Sequence, residues 1–254
     1  MTVTFLGTGT SQGVPVIGCE CDVCRSLDFR DKRLRVSIHL QIDGKSIIVD
    51  SGPDFRQQVL RERIKRLDAL LFTHEHKDHT SGMDDIRAFN FMQQMDMPVY
   101  AEDRVIKQLK QEYAYIFSGQ NYPGIPRVNL YPITHDQPFE VAGINVTPIR
   151  VMHYKLPVLG FRINNFTYIT DANFISEAEK AKIAGSEVIV LNALRKEPHI
   201  SHFSLSEAIN ILTELKPRKA YLTHISHIMG FHREVEKELP EFISLAYDGL
   251  KIAL

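Results

Sequence analysis

Four apolar, strand-like runs in this chain end on a side chain of the metal-binding type, and that recurrence limits the possible folds more than any other feature. "ALLF" runs through Thr73 into His74, "TPIRV" through Met152 into His153, "FTYIT" into Asp171 and "AYLT" into His224. Any one of these could be a structural residue at a strand terminus. Four of them are hard to explain that way, because sheets gather their strand ends along a common face where distant parts of a sequence meet. The chain is therefore expected to bring these ends together.

The first end is the densest. "THEHKDH" holds His74, His76, Asp78 and His79 in one short loop with no packing residues between them. Side chains two apart on an extended segment project to the same side, which pairs His74 with His76. Asp78 and His79 follow where the strand has run out and a helix can begin. Imidazole and carboxylate together favour zinc, manganese or iron over calcium or magnesium. One loop cannot supply two metals with all their ligands, so His153, Asp171 and His224 are the candidates for the remaining donors.

A second cluster is separate in sequence. Cys19, Cys21 and Cys24, in "GCECDVC", are the only cysteines of the chain. An odd number in one tight group fits metal binding in a reducing compartment better than a disulfide framework. A closed zinc site wants four ligands, and "LTHISH" offers the fourth. If His224 faces the first cluster, His227 lies about one turn further on in a helical segment and can face elsewhere, completing a Cys₃His site.

Around these clusters the pattern alternates strands and helices: "TVTFL", then "VSIHLQID" and "KSIIVD" across a "DG" turn, a mostly helical stretch over 84–118, and later strand groups separated by Gly and Asn turns. "SLSEAINILTELKP" reads as a helix, and "FISLAYDGLKIAL" as a closing hairpin with an Asp-Gly turn. The fold class is α/β or α+β with a mixed sheet. "GTGTSQG" looks like a phosphate loop, but "VPVIGCECDVC" follows it in place of the helix such a loop needs, so it reads as a tight turn. "RERIKR" reads as the solvated face of a helix.

With 254 residues and no low-complexity tract or linker, residues 1–254 are expected to form one domain. A formal net charge of -1 argues against a strongly basic nucleic-acid surface. No apolar run approaches the roughly 18 residues of a membrane span, and the N-terminus lacks a signal-type core, so the reading is cytoplasmic.

The order H-x-H-x-D-H, then a histidine, an aspartate and a last histidine, resembles the metallo-β-lactamase superfamily. "FLGTGTSQGVPVIGCECDVC", "THEHKDH", "HYKL", "TDA" and "LTHISH" together are similar, more narrowly, to the phosphoribosyl cyclic phosphodiesterases of phosphonate-degradation operons. The resemblance implies a four-layered αβ/βα sandwich with metals at one edge between two mixed sheets. It implies that His74, His76 and His153 are terminal ligands of one divalent metal and Asp78, His79 and His224 of the other, with Asp171 bridging. Two such cations, zinc or manganese, roughly 3.5–4 Å apart can hold a bridging hydroxide and clamp a phosphoryl oxygen. Asp78 would orient that hydroxide or accept its proton. The cysteine clasp matches an additional structural zinc.

His202, in "SHFSLSEA", is expected at the start of a helix; superfamily phosphodiesterases and tRNA 3′-processing enzymes have a histidine in a similar setting, donating a proton to the leaving oxygen. Asp50, in "VDSG", fits either a carboxylate that fixes the tautomer of a ligand histidine or a turn cap. His39, His135, His199 and His232 read as surface or packing residues. The activity implied is hydrolysis of a small phosphodiester, a ribose 1,2-cyclic or 2′,3′-cyclic nucleotide-like phosphate, by a homodimer. A tRNA 3′-processing nuclease would share the ligands but need a protruding, Gly/Pro-rich arm; a thioester, lactone or β-lactam hydrolase would gain less from an acid placed like His202. A non-catalytic scaffold would have no use for seven donors.

Overall fold

The computed structural model describes residues 1–119 and 123–254. The N-terminal half builds one mixed sheet from β1 (Thr2–Gly7), β2 (Ser37–Ile42), β3 (Lys45–Val49), β4 (Ala69–Leu71), β5 (Met97–Ala101) and β6 (Val128–Pro132). The C-terminal half builds the other from β7 (Phe139–Val141), β8 (Ile144–His153), β9 (Leu156–Ile163), β10 (Phe166–Tyr168), β11 (Phe174–Ile175), β12 (Val188–Asn192), β13 (Lys219–Thr223) and β14 (Ile243–Leu245). The last strand, β15 (Lys251–Ala253), returns to pair antiparallel with β1. Each sheet is antiparallel at one side and parallel at the other, β3 through β6 in the first and β10, β12, β13 and β14 in the second.

Helices cover both outer faces, α2 (Phe55–Glu62), α4 (Arg87–Gln93), α5 (Asp103–Glu112) and α6 (Ala114–Phe117) on the first and α7 (Glu177–Ile183), α8 (Leu205–Leu215) and α9 (His232–Glu236) on the second. Of the other two, α1 (Asp22–Arg25) packs against the 3₁₀ turn at His227–Met229 and α3 (Lys77–Thr80) follows the end of β4. Three separate apolar cores define four layers. One lies between the sheets, where Phe5, Ile38 and Leu71 meet Leu159, Phe161 and Val190. A second packs Phe89, Val105 and Leu109 against Leu70 and Val99. The third packs Leu205, Ala208 and Leu212 against Ile189 and Leu222. Each large side chain so buried contributes about 1.5–3 kcal/mol. This is the αβ/βα sandwich that the resemblance implies.

Two local expectations are corrected. The "AYDGLKIAL" segment is not a hairpin: β14 joins the second sheet beside β13, whereas β15 joins the first. The reason lies in Asp248, whose carboxylate accepts from the Leu34 amide and the Thr8 hydroxyl at 2.8 Å each and so turns the chain across to the other sheet. The basic run "RERIKR" lies only partly on a helix, because Arg63 adopts a left-handed conformation and ends α2 after Glu62. β6 has no counterpart in the sequence reading; Val128 and Leu130 turn partly inward while Asn129, Tyr131 and Pro132 are exposed, an alternation too short before Pro132 to mark a strand in the sequence.

Candidate metal centre and cysteine clasp

Strand ends β4, β8, β10 and β13 converge at one edge of the sandwich. β4 continues through Phe72 and Thr73 to His74, and the Leu159 amide donates to the Thr73 carbonyl at 3.1 Å, tying the two sheets together at that point. His76 caps α3, which carries Asp78 and His79. The close approach of this helix depends on Gly52: a Cβ there would lie 2.0 Å from the Asp78 carbonyl oxygen. Three residues at the site take left-handed backbone angles, Asp50 with φ 64°, Asp171 with φ 55° and His224 with φ 56°. Each strand is thus bent sharply where its donor appears, at about 1 kcal/mol or more per residue, a strain characteristic of functional positions.

The donors form three groups in which the ligand-type atoms all lie within 4.8 Å of one another: His74, His76 and Asp171; His79, Asp171 and His224; His153, Asp171 and His202. Asp171 belongs to all three. Its Oδ1 lies 2.9 Å from His224 Nδ1 and 3.5 Å from His79 Nε2, and its Oδ2 lies 3.4 Å from His202 Nε2 and 3.8 Å from His74 Nε2. Asp78 Oδ2 stands 3.3 Å from His79 Nε2. The His76 and His153 rings are 5.2 Å apart. The Nε2 atoms of His74, His79 and His202 are buried without a hydrogen-bond partner. Buried polar atoms are rarely left so, and inward-aimed, unpartnered imidazole nitrogens around a carboxylate fit divalent cations well.

Charge distribution at the site follows from burial and contact. Burial holds the His74 imidazole well below its usual range. Burial alone would do the same to His79, but Asp171, Asp78 and Asp50 together hold it well above. For Asp78, burial favours the neutral acid, yet the adjacent His79 pulls it down to about 2. Asp171 likewise stays well below the carboxylate range, since His224 and His79 outweigh its burial. The His202 ring is pushed down to about 4, chiefly by burial, with Asp171 opposing.

A second layer fixes ring orientations. Asp50, fully buried, accepts from His79 Nδ1 at 2.7 Å and from the Thr73 amide and hydroxyl at 2.9 Å each. Its partners are thus those of a tautomer-fixing carboxylate rather than those of a turn cap. Thr73 Oγ1 also meets His74 Nδ1 at 3.0 Å, and Thr170 Oγ1 donates to Asp171 at 2.6 Å. His153 Nδ1 donates to the Ser201 carbonyl at 2.8 Å. Sequence reasoning missed these threonines, although a signal was present: Thr73, Thr170 and Thr223 each immediately precede a strand-end donor. His202 precedes α8 rather than starting it; Ser204 is the N-cap, in a capping box with Glu207. The site opens into a cavity of about 550 Å³ lined by His76, His153, Tyr154, Lys155, Leu156, Ile200 and Ser201.

The clasp assembles across the chain. His227 Nδ1 lies 3.3 Å from Cys19 Sγ, 3.3 Å from Cys21 Sγ and 3.5 Å from Cys24 Sγ. Zinc bonds of about 2.3 Å to sulfur and about 2.0 Å to nitrogen at tetrahedral angles require an S···N edge of about 3.5 Å, so the group fits. The Cys24 amide donates to Cys21 Sγ and the Val16 amide to Cys24 Sγ, each at 3.4 Å. With the Cys24 amide and then His227 close by, the Cys21 thiol drops to about 6, whereas burial raises Cys24 to about 11. His227 is displaced from His224 by the left-handed turn at His224 and not by a helical turn, since the short 3₁₀ segment begins only at His227.

A family model described as Beta-lactamase superfamily domain matches residues 45–225. A crystal structure of a diphosphatase from the PhnP family is 39% identical, with a TM-score of 0.93, covering 100% of this chain and 97% of that one. Zn²⁺-bound PqqB from Methylobacterium extorquens is 19% identical with a TM-score of 0.82, covering 100% of both chains, a likeness of fold. An octanoyltransferase from Porphyromonas gingivalis is 40% identical over 99% of this chain, which spans about half (51%) of that relative's length. Among the described residues no helix is long and apolar enough to cross a membrane.

Proposed function

The chain belongs to the metallo-β-lactamase superfamily of metal-dependent hydrolases, and from that premise we propose that it is a two-metal phosphodiesterase for small cyclic or nucleotide-like phosphodiesters. The observation that carries this reading is Asp171, whose two carboxylate oxygens each face a different set of buried histidines. Its surroundings suit a bridging ligand, with His74, His76 and His153 toward one cation and Asp78, His79 and His224 toward the other. When bound, two zinc or manganese ions supply an activated water and neutralise charge on the phosphoryl oxygens.

The remaining work falls to the protein's own groups. Asp78, whose Oδ2 lies 3.3 Å from His79 Nε2, orients the attacking water and takes up its proton. Asp50 and the Ser201 carbonyl keep His79 and His153 turned with Nδ1 outward and Nε2 toward the centre. His202 Nε2 donates a proton to the leaving oxygen. A phosphodiester anion seated beside that nitrogen favours the imidazolium, offsetting the burial that pushes the ring down to about 4. The cavity suits a compact substrate. Likeness to a diphosphatase supports a second reading, hydrolysis of a diphosphate ester, at the same centre. A third zinc in the clasp would tie the N-terminal loop to the turn that presents His224. A cytoplasmic homodimer completes the reading; a single-chain mass by light scattering would remove the dimer.

The test is a substrate panel on metal-reconstituted protein: ribose 1,2-cyclic phosphate, 2′,3′-cyclic nucleotides, bis(nitrophenyl) phosphate, nucleoside diphosphates and a chromogenic β-lactam. Turnover of the cyclic and nitrophenyl diesters with the β-lactam intact is expected. Diphosphates cleaved in preference to diesters would favour the second reading, and β-lactam cleavage alone would overturn both. His202→Ala should reduce turnover by about 10²–10⁴-fold on alkyl leaving groups and far less on nitrophenyl esters.

A further inference from the structure

The string His-Ile-Ser-His occurs twice, at 199–202 and at 224–227. The second copy divides its histidines between the metal centre and the clasp. In the first copy His202 faces the centre, while His199, half-buried, has no part in the mechanism above. Yet its Nδ1 is aimed at three polar atoms. It lies 3.3 Å from the Ser201 amide nitrogen, 3.3 Å from Ser201 Oγ and 3.3 Å from His202 Nδ1. Ser201 Oγ in turn lies 3.0 Å from His202 Nδ1.

A backbone N–H can only donate, so the contact with the Ser201 amide makes His199 Nδ1 an acceptor. That fixes the direction of the other bonds. Two ring nitrogens 3.3 Å apart cannot face each other with lone pairs, so the proton between them sits on His202 Nδ1. It points toward His199 Nδ1 and toward Ser201 Oγ at 3.0 Å, while the Ser201 hydroxyl turns its own proton toward His199. An acid that delivers a proton from Nε2 must keep its other proton on Nδ1 afterwards, and this chain is what holds it there. We propose that Ser201 and His199 are positioning residues that keep the His202 proton on Nδ1 and aim Nε2 at the leaving oxygen. The inference rests on the reading of His202 as the acid. A further bond supports the loop: the Asn173 side-chain amide donates to the Ile200 carbonyl at 3.1 Å.

Two measurements test it. In ¹⁵N-labelled, zinc-loaded protein, long-range ¹H–¹⁵N correlations of the histidine rings should show neutral His202 as the Nδ1–H tautomer. In Ser201→Ala and in His199→Leu the Nε2–H form should appear beside it. An Nε2–H ring in the native protein, or an unchanged tautomer in both variants, would overturn the proposal. In kinetics, His199→Leu should lower kcat on alkyl phosphodiesters by about 10-fold with KM nearly unchanged, and spare nitrophenyl esters. His199→Asn, whose amide oxygen can occupy the Nδ1 position, should recover most of the loss. Equal losses on both leaving groups, or no recovery with Asn, would contradict a positioning role. His202→Ala run in parallel separates the two claims: without leaving-group dependence there, the acid assignment fails, while the tautomer spectra still judge the hydrogen-bonded chain.

Discussion

The metal centre and the cysteine clasp are both fed by the turn after β13, with His224 on one side and His227 on the other, yet they are built on opposite plans. The clasp has four donors converging on one point, three of them sulfur, with no carboxylate and part of it exposed. The centre shares one carboxylate among three groups of donors, backs its rings with Asp50, Thr73 and Ser201, and opens into a cavity. A site whose donors are all spent on one ion can hold the fold but has no position left for a substrate. A site with a bridging carboxylate and unpartnered nitrogens has capacity for both metal and reactant. The difference teaches that ligand type and leftover capacity, more than the ability to hold a metal, are what would distinguish a structural site from a reactive one.

The sharpest way to break the comparison is Asp171→Ala. It should lower kcat on phosphodiesters on the order of 10³-fold while leaving the clasp's zinc in place, read by steady-state kinetics and metal analysis. Loss of the clasp zinc as well would mean the two regions are not independent.

A smaller effect separates them by pH. Behind the clasp, His232 is buried beside Arg33, its Nδ1 3.1 Å from Arg33 Nη2, and its amide donates to Asp31, which also accepts from Ser26 after α1. Burial first, then Arg33 and Arg30, push the ring from 6.5 down to about 4. The folded protein therefore prefers the neutral ring. Its contribution is complete above pH 6.5, declines as pH falls and is gone once pH has passed below about 4, amounting to about 3 kcal/mol. Denaturant unfolding at pH 7 and pH 4 should show His232→Asn losing less stability than the native chain across that interval; equal losses would contradict the assignment.

Asp50→Asn should weaken metal binding at the centre by about 10–100-fold and leave clasp zinc unchanged, measured by competition with a chromogenic chelator. The smallest expected effect on turnover belongs to Cys21→Ser. One zinc equivalent should be lost and the melting temperature should fall, while kcat of the folded fraction changes little. A collapse of kcat in protein that remains folded would give the clasp a share in the chemistry.

Much of this plan was legible because chemistry-bearing residues sit directly at strand ends, where an apolar run stops on His74, His153, Asp171 or His224. Local pattern could not place what long-range bonds decide. The Asp-Gly turn near the C-terminus carries an ordinary hairpin signal, yet Asp248 is committed to Leu34 and Thr8 from another part of the chain, and the strands part to different sheets. β6 is a short, half-exposed strand that its neighbour β5 specifies through pairing. His199 looked like a surface ring because only the folded loop aims its nitrogen at Ser201 and His202.

The most direct measurement is anomalous scattering from crystals of the zinc- or manganese-loaded protein. Two peaks flanking the Asp171 carboxylate, and a third amid Cys19, Cys21, Cys24 and His227, are the predicted result. A single peak at the centre, or a pair that Asp171 does not touch, would contradict the two-metal account.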